Sequence, residues 1–505
     1  ICILGFGEIF QLVESIADVL RGSTMFTRIF IYLVGVLLMT PVVVTGQSLA
    51  GSDPHPEVHL YDVADFGLDP ADVTFTKDIA PILQRSCQTC HRADGGAPMS
   101  LLTYEEVRPW ARSIKYRTAI RDRMGAMPPF FLEKDIGILK FKDDTSLSDE
   151  ELAKVQAWAD NGAPLGDPAD MPPAREFTRA GTWTIGEPDL VLRSRQMTIP
   201  AVGPDRWGDI GLVPTGLTED RYVKAVEVRE INDIPLSAGT DTVGGRYVFH
   251  HMTYSSGVLN DEGTEIVDDT RTRWPIHEVG RNADIFPEKF GTLLPANSAL
   301  HLGASHLHSN GIAETTAHLE FGFIFHPKGY KPEYGNRARF RLGNGGDIDV
   351  PGGAANQEFH SFEVLEQHTK IVAFEPHLHA PGTRMCLEAI WGANQFTLNC
   401  VGYDHNWVKQ YVYEDDAAPL LPKGTIVHIV GFLDTTAANE NLADNRNWAG
   451  GGRRSVANMF IDLGYAVELT EEQFQSEMAE RRAMMKSRNE YDVGCPLCWA
   501  PVPEM

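Results

Sequence analysis

Residues 87–91 read Cys87-Gln88-Thr89-Cys90-His91, and this stretch decides how the first part of the chain is built. Two thiols at this spacing reach both vinyl groups of one porphyrin, while the imidazole that follows ligates the iron from below. Cys87 and Cys90 thus read as the attachment points of one covalent haem c, with His91 as its proximal ligand. A zinc or thioredoxin-like pair is the competing reading. No second C-x-x-C stands at zinc spacing, however, and no βαβ pattern surrounds this one.

Working outward, the flanking sequence is helical. The spacing predicts a helix capped by Thr76 and running through Ile79, Ile82 and Leu83 into the haem motif, and a second from Tyr104 to Met124 carrying Val107, Trp110, Ile114 and Ile120. A third is marked by the capping box Ser148/Glu151, the apolar face Leu152, Val155 and Ala159, and the stop Asn161-Gly162. Three helices around one such motif fit a small all-α cytochrome c domain over residues 70–165. A soft sixth ligand is expected from the loop before the last helix; Met127 in Met127-Pro128-Pro129 is the choice, with Met99 and Met124 as alternatives.

Upstream, Met25-Phe26-Thr27-Arg28 precedes an apolar run from Ile29 to Val44 and then small and polar residues, the pattern of a secretory signal. Residues 1–46 are read as upstream residues and signal peptide, which places the protein in the periplasm or outside the cell. A membrane contact is expected only if this segment stays uncleaved. The remaining length, about 460 residues, suggests roughly three domains. A net charge of −25 argues against nucleic acid or anionic lipid as a partner.

After a Pro-, Asp- and Gly-rich linker (166–187) the texture changes to short β-rich runs, giving an all-β region. An internal repeat runs through it. His250 and His377, Leu293-Leu294-Pro295 and Leu420-Leu421-Pro422, and His301 and His428 all lie 127 residues apart. Three landmarks at one offset predict two β-sandwich (jelly-roll-like) domains, at 188–350 and 351–470, ahead of a C-terminal tail at 471–505.

The histidines of this region then acquire meaning. Alternation along a strand projects His377 and His379 together, so they can bind one metal ion. Adjacent His250 and His251 need a bulge or twist to converge, or use of the other ring nitrogen, and His306 arrives from a neighbouring strand. Met459, in Asn458-Met459-Phe460-Ile461, offers a thioether. Imidazole plus thioether favours copper, and a three-histidine zinc site is the competitor. Lone histidines such as His318, His326 and His368 read as structural.

His250-His251-Met252, His306, His377-Leu378-His379 and Met459 resemble the ligand set of the copper type II monooxygenases, the group of peptidylglycine α-hydroxylating and dopamine β-monooxygenases. The segment from Phe75 to Pro164, with Ala97-Pro98-Met99-Ser100-Leu101-Leu102 and Met127-Pro128-Pro129, looks like the cytochrome fused to bacterial members. The resemblance implies two copper ions on two β-sandwich domains facing a solvent-filled cleft. His250, His251 and His306 would hold the electron-supplying copper. His377, His379 and Met459 would hold the copper that binds O2 and would be the catalytic set. It further implies hydroxylation of a C–H bond in a small-molecule substrate, with electrons from an ascorbate-like reductant or a periplasmic redox protein passing through the haem. His308 is an alternative third ligand, since alternation puts it on the same face as His306. Where peptide-amidating members carry an arginine for the substrate carboxylate this chain has Glu375, expected to attract an amine instead.

The other cysteines suit an exported chain. Cys386 and Cys400 flank a turn centred on Ala393 and are expected to pair, and Cys495 and Cys498 to form a second disulfide or a redox or copper-receiving tail. Residues 471–490 read as a charged, solvated helix. Two other functions stay open on sequence: a haem–copper electron carrier or periplasmic copper-binding protein without hydroxylase activity, and a reductase of nitrite or another small molecule, which predicts an adjacent copper pair.

Overall fold

The computed structural model describes residues 58–498 apart from 93–94, 178–181, 236–237, 239–244, 279–282, 335–336, 339–341, 345–347, 406, 443, 447–449, 452–456 and 489–492. The signal segment lies outside the described residues. Among those described, no helix is long and apolar enough to cross a membrane. Most of the regular structure is antiparallel β-sheet.

Residues 58–170 hold short helices: Ala80–Ser86, Tyr104–Val107, Ala111–Ile120 and Asp149–Asp160. The capping box is formed as the sequence indicates, Ser148 accepting from the Glu151 N–H and Glu151 accepting from the Ser148 N–H. Two expectations are corrected. The first helix starts with a π-turn at Phe75–Ile79 after Thr74, and Thr76 is buried rather than capping. The α-helical ladder takes over only beside Pro81, which lacks an N–H. The long helix expected over 104–124 is broken at Arg108–Trp110, where Pro109 interrupts the hydrogen-bond ladder, and it ends at Ile120. Phe75, Ile79, Leu83, Ile114, Leu152, Val155 and Trp158 form a core of their own.

The β region repeats one pairing scheme. In the first half, the central strand Arg221–Asn232 pairs with Ala283–Ile285, Thr292–Leu294 and Thr315–Phe325, while Ser298–Leu307 pairs with Phe249–Val258 in a second sheet. In the second half, His368–Phe374 pairs with Tyr411–Val412, Leu420–Leu421 and Tyr465–Leu469, while Ile426–Leu433 pairs with Gly382–Trp391. Leu293/Leu420 and His301/His428 therefore fall on corresponding strands, as the common offset requires. Strands of the second half begin at Arg337, where Arg337–Ala338 pairs with Tyr465–Leu469.

In the first half, Val223, Val226 and Val228 from one sheet and Met252, Tyr254, Leu300 and Leu302 from the other share one core, an arrangement compatible with a β-sandwich. The strand His368–Phe374 is buried on both faces: Ile371 and Phe374 enter the second core, and Val372 and Ala373 join the first. Its second part, Ile371-Val372-Ala373-Phe374, accordingly reads as a continuous apolar run instead of alternating. Past Pro129 the chain leaves the helical core. Phe130, Leu132, Ile138 and Phe141 pack into the second β core, and Glu133 pairs with Arg384.

Both expected disulfides, Cys386–Cys400 and Cys495–Cys498, are formed, the first between directly opposed residues of a hairpin. The helix Glu471–Arg488 is not solvated all round. Phe474, Glu477, Met478 and Arg481 are buried, and Glu477 takes Lys370 (2.9 Å) and the Tyr334 hydroxyl. Two of its charged residues, Glu477 and Arg481, are turned inward and paired, which composition alone does not reveal.

Candidate metal centre

His251 and His306 are directly opposed in the ladder between Phe249–Val258 and Ser298–Leu307, so their side chains leave the same face. The next residue of that register, Leu307, is opposite Phe249, which leaves His250 as an extra, bulged residue. The bulge turns two adjacent histidines toward one point, which regular alternation forbids. The Nδ1 atoms of His250 and His251 are 3.1 Å apart, and those of His251 and His306 are 3.4 Å apart. Two imidazoles bound to one ion at 2.0–2.1 Å and near-tetrahedral angles hold their nitrogens about 3.1–3.4 Å apart, so this spacing fits a single ion. Among the described residues these three histidines form a group able to hold a metal.

The surroundings set the tautomer. Asp205 lies 2.8 Å from His306 Nε2, so Nε2–H donates outward and the Nδ1 lone pair faces the other rings. Trp207, opposite His306 in the ladder, stacks on it with centroids 3.8 Å apart and planes 9° apart. The bulge is held from behind by Glu230, whose buried carboxylate accepts from the N–H groups of Val248 (3.0 Å) and Phe249 (2.7 Å) and from Asn232 (2.7 Å). Burial pushes the Glu230 carboxyl up to about 7. Burial and the neighbouring imidazoles push His250 down to about 3 and His251 well below its ordinary value. The rings are therefore neutral at pH 7, with lone pairs available to a cation.

His308 stands beside this group, its ring 5.4 Å from His250 and 6.5 Å from His306, with Nε2 buried and without a hydrogen-bond partner. It is His306 whose nitrogen joins the close triad.

In the second half the corresponding strand is interrupted. Pro376–Leu378 leaves the larger sheets and pairs with Phe460–Asp462, His377 opposite Ile461 and Leu378 opposite Phe460. Met459 directly precedes Phe460, the residue opposite Leu378 where this ladder ends. The rings of His377 and His379 are 5.3 Å apart. His379 Nδ1 donates to the Ala457 carbonyl (2.8 Å), leaving Nε2 for an ion. His377 and His405 are among the groups whose protonation would oppose that of His251.

Glu375 is not a cleft residue. It is 1% exposed, its carboxylate accepts from Gln410 (2.6 Å), and its N–H donates to Asp462 (3.0 Å). A carboxylate enclosed by its own fold meets no substrate amine, which overturns that expectation. His301 and His428, at the repeat offset, are held by Asp209 (2.7 Å) and Glu388 (2.7 Å) and belong to the framework.

At the thiol pair, Cys87 and Cys90 are free and His91 Nδ1 donates to the Pro98 carbonyl (2.8 Å), which leaves Nε2 for an axial bond. Met127 is half-buried beside Thr118, Arg121, Phe130 and Leu147. Met124 accepts from the Asn441 amide, and Met99 packs on the helical core.

Four contributors escape a sequence reading: Asp205, Trp207, Glu230 and His405. The first three are joined to the histidines only by strand register and through-space hydrogen bonds. His405 carries one signal, a histidine set among Tyr403, Asp404 and Trp407, but no alternation links it to a pair.

No protein-family model and no curated protein matches this chain. Among solved structures, the stem and receptor-binding domain of the spike protein P1 of bacteriophage PM2 is 9% identical over 58% of this chain and 98% of that one, with a TM-score of 0.12. A structure of infectious bursal disease virus Gx strain is 9% identical over 60% of this chain and 89% of that one, with a TM-score of 0.14. Similarity at this level implies neither a shared fold nor a shared activity.

Proposed function

We propose that the chain is an exported, haem- and dicopper-containing monooxygenase that hydroxylates a C–H bond of a small organic substrate with O2, with a cytochrome c-like helical segment supplying electrons to two copper-binding β-sandwich domains. The observation that carries this reading is the convergence of three Nδ1 atoms at the His250 bulge, 3.1 and 3.4 Å apart and backed by Asp205.

Cys87, Cys90 and His91, with Met127 as the sixth ligand, are the residues for one haem c; His250, His251 and His306 for one copper; and His377, His379 and Met459 for the other. When bound, the metals supply electron transfer at the first two centres and dioxygen activation at the third. The rest falls to the protein. Asp205 and the Pro98 and Ala457 carbonyls fix which ring nitrogen of His306, His91 and His379 stays unprotonated. Trp207 shields one face of His306 from water. An imidazole whose lone pair is bound to a metal is no general base, and C–H hydroxylation by a redox metal needs none.

A second reading is a haem–copper electron carrier, which would use the same ligand residues without an open position for O2. The test is metal stoichiometry of the exported, copper-loaded chain, compared with the double variant His377→Ala/His379→Ala. One haem and two coppers, one of them lost in the variant, together with oxygen-18 incorporation into amine or aromatic substrates from labelled O2, is the expected result. Two coppers without incorporation would favour the carrier, and one haem without specific copper would remove both readings.

A further inference from the structure

The first histidine group belongs to a row of side chains that starts at the rim of its sheet. Arg206–Gly208 is the end strand and pairs with Ser298–Leu307, which pairs in turn with Phe249–Val258. The register sets Trp207 opposite His306, and His306 opposite His251. Residues opposed across antiparallel ladders leave the same face, so Trp207, His306 and His251 form one row, to which the bulge adds His250.

Within that row Trp207 touches two of the three candidate ligands. Its indole lies flat on the His306 ring, with centroids 3.8 Å apart and planes at 9°, and meets the His251 ring edge-on at 5.0 Å and 64°. His306 is only 5% exposed, whereas Trp207 is half-buried. On this side the indole, and not the imidazole, meets solvent. Asp205, from the same rim, holds His306 Nε2 at 2.8 Å and so fixes the ring on which the indole stacks. Filling space beside His306 requires only an apolar group. A flat aromatic ring in face contact adds overlap of two π systems, and it leaves a single non-bonded step between the surface and a ring that binds metal.

We propose that Trp207 is the point at which electrons enter the first metal centre: acting through His306, its indole conducts one electron from a reductant at the rim of the sheet to the copper held by His250, His251 and His306. The proposal rests on the copper reading above and deepens it by naming the entry residue. The donor is a one-electron reductant, either an enediol such as ascorbate or the ferrous haem of the same chain. The donor loses one electron and cupric copper gains it to become cuprous. No bond in the protein forms or breaks, the Nε2–H of His306 stays on Asp205, and the indole ends unchanged.

The test uses the full-length haem-loaded protein in the His377→Ala/His379→Ala background, which keeps the first copper alone, with Trp207→Leu and Trp207→Phe built on it. Loss of the cupric EPR signal is followed anaerobically by rapid freezing, in one arm after ascorbate is added to oxidised protein and in the other after the haem is reduced first. In Trp207→Leu at least one arm is expected to slow about tenfold or more, as for other residues in contact with a metal ligand, and the slowed arm identifies the donor. Trp207→Phe keeps a stacked ring and should slow by less than about threefold. Copper affinity by chelator competition and the imidazole couplings in the pulsed EPR spectrum should match the parent in both variants. Unchanged rates in both arms of Trp207→Leu, with copper still bound, would overturn the proposal and leave the copper reading intact. Slowing accompanied by weaker copper binding or altered couplings would also overturn it, since Trp207 would then only hold His306 in place. Absence of copper from the wild-type chain would overturn both.

Discussion

The two histidine groups occupy corresponding places in a duplicated pairing scheme, yet they are built by opposite means. In the first half the strand Phe249–Val258 stays in its sheet and absorbs one extra residue, so that His250 and His251 both reach the point faced by His306. In the second half the strand breaks after Leu378, and the freed piece pairs with Phe460–Asp462. The ring nitrogens follow suit. Asp205 ties up Nε2 of His306 and leaves Nδ1 inward, while Ala457 ties up Nδ1 of His379 and leaves Nε2. A bulge keeps the first histidine group inside one sheet, whereas the break carries His377 onto a short strand paired with Phe460–Asp462. Corresponding positions of one repeated pairing scheme thus carry their histidines on a bulge in one half and on a displaced short strand in the other.

The sharpest way to break this comparison is to remove one ligand from each half. His251→Ala and His379→Ala are each expected to lower bound copper from two ions to one, with the surviving ion's affinity changed less than tenfold. Metal analysis after dialysis reads this directly. If His251→Ala empties both positions, the two groups are one coupled centre and the contrast drawn above dissolves.

Next in size is Glu230, which supports the bulge and has no equivalent role in the broken strand. Glu230→Ala removes an acceptor from two backbone N–H groups and is expected to cost about 3 kcal/mol of stability, seen as a lower urea midpoint, along with most of the first copper's affinity. Glu230→Gln keeps an acceptor and should lose less than half as much. An equal loss of affinity at both coppers in Glu230→Ala would show that its effect is general unfolding and not support of the bulge.

What could be read in the sequence follows the same division. Strand alternation made His377 and His379 a pair, and the offset of 127 residues aligned strands that do correspond in the structure. The need for a bulge at His250 was legible because adjacent residues of a strand point apart. The boundaries of the helices were less so, since Pro81 and Pro109 alter local hydrogen bonding inside segments whose apolar spacing still looks helical. Glu375 was misread for a related reason: its position beside the histidine pair was visible, but its burial against Gln410 was not. Asp205, Trp207 and His405 lie in segments without periodicity and reach the site only through tertiary packing.

A smaller effect separates the sites through Asp205. Its carboxylate is half exposed, so its hold on His306 is partly screened by water. Asp205→Ala is expected to weaken the first copper about tenfold, the low end for an outer-shell partner of a metal-bound histidine, and to leave the second unchanged. Isothermal titration with copper at each site in turn resolves the two. A change of less than twofold would mean that Trp207 and the bulge alone orient the ring.

The mildest probe is proton uptake by the metal-free protein. His250 is held at about 3 and His405 at about 4, both far below the ordinary 6.5, because burial and neighbouring imidazoles oppose the charged form. Above pH 6.5 these rings are neutral whether the chain is folded or not, and their contribution is fully present. As pH falls below 6.5 the unfolded chain takes up protons that the folded chain excludes, so stability is lost through this window by up to about 1.4 kcal/mol per pH unit for each such histidine. The urea midpoint of metal-free protein should therefore drop between pH 7 and pH 5, less steeply than the histidines alone would give, because Glu230, held at about 7, takes up a proton in the folded chain over the same window and offsets part of the loss. In His405→Phe the drop should be shallower, by about one proton's worth of slope, and in His250→Phe likewise. Copper should flatten the wild-type profile over the same range, since an occupied ring nitrogen cannot be protonated without releasing the ion. An unchanged slope in both variants would mean that these rings are solvated in solution.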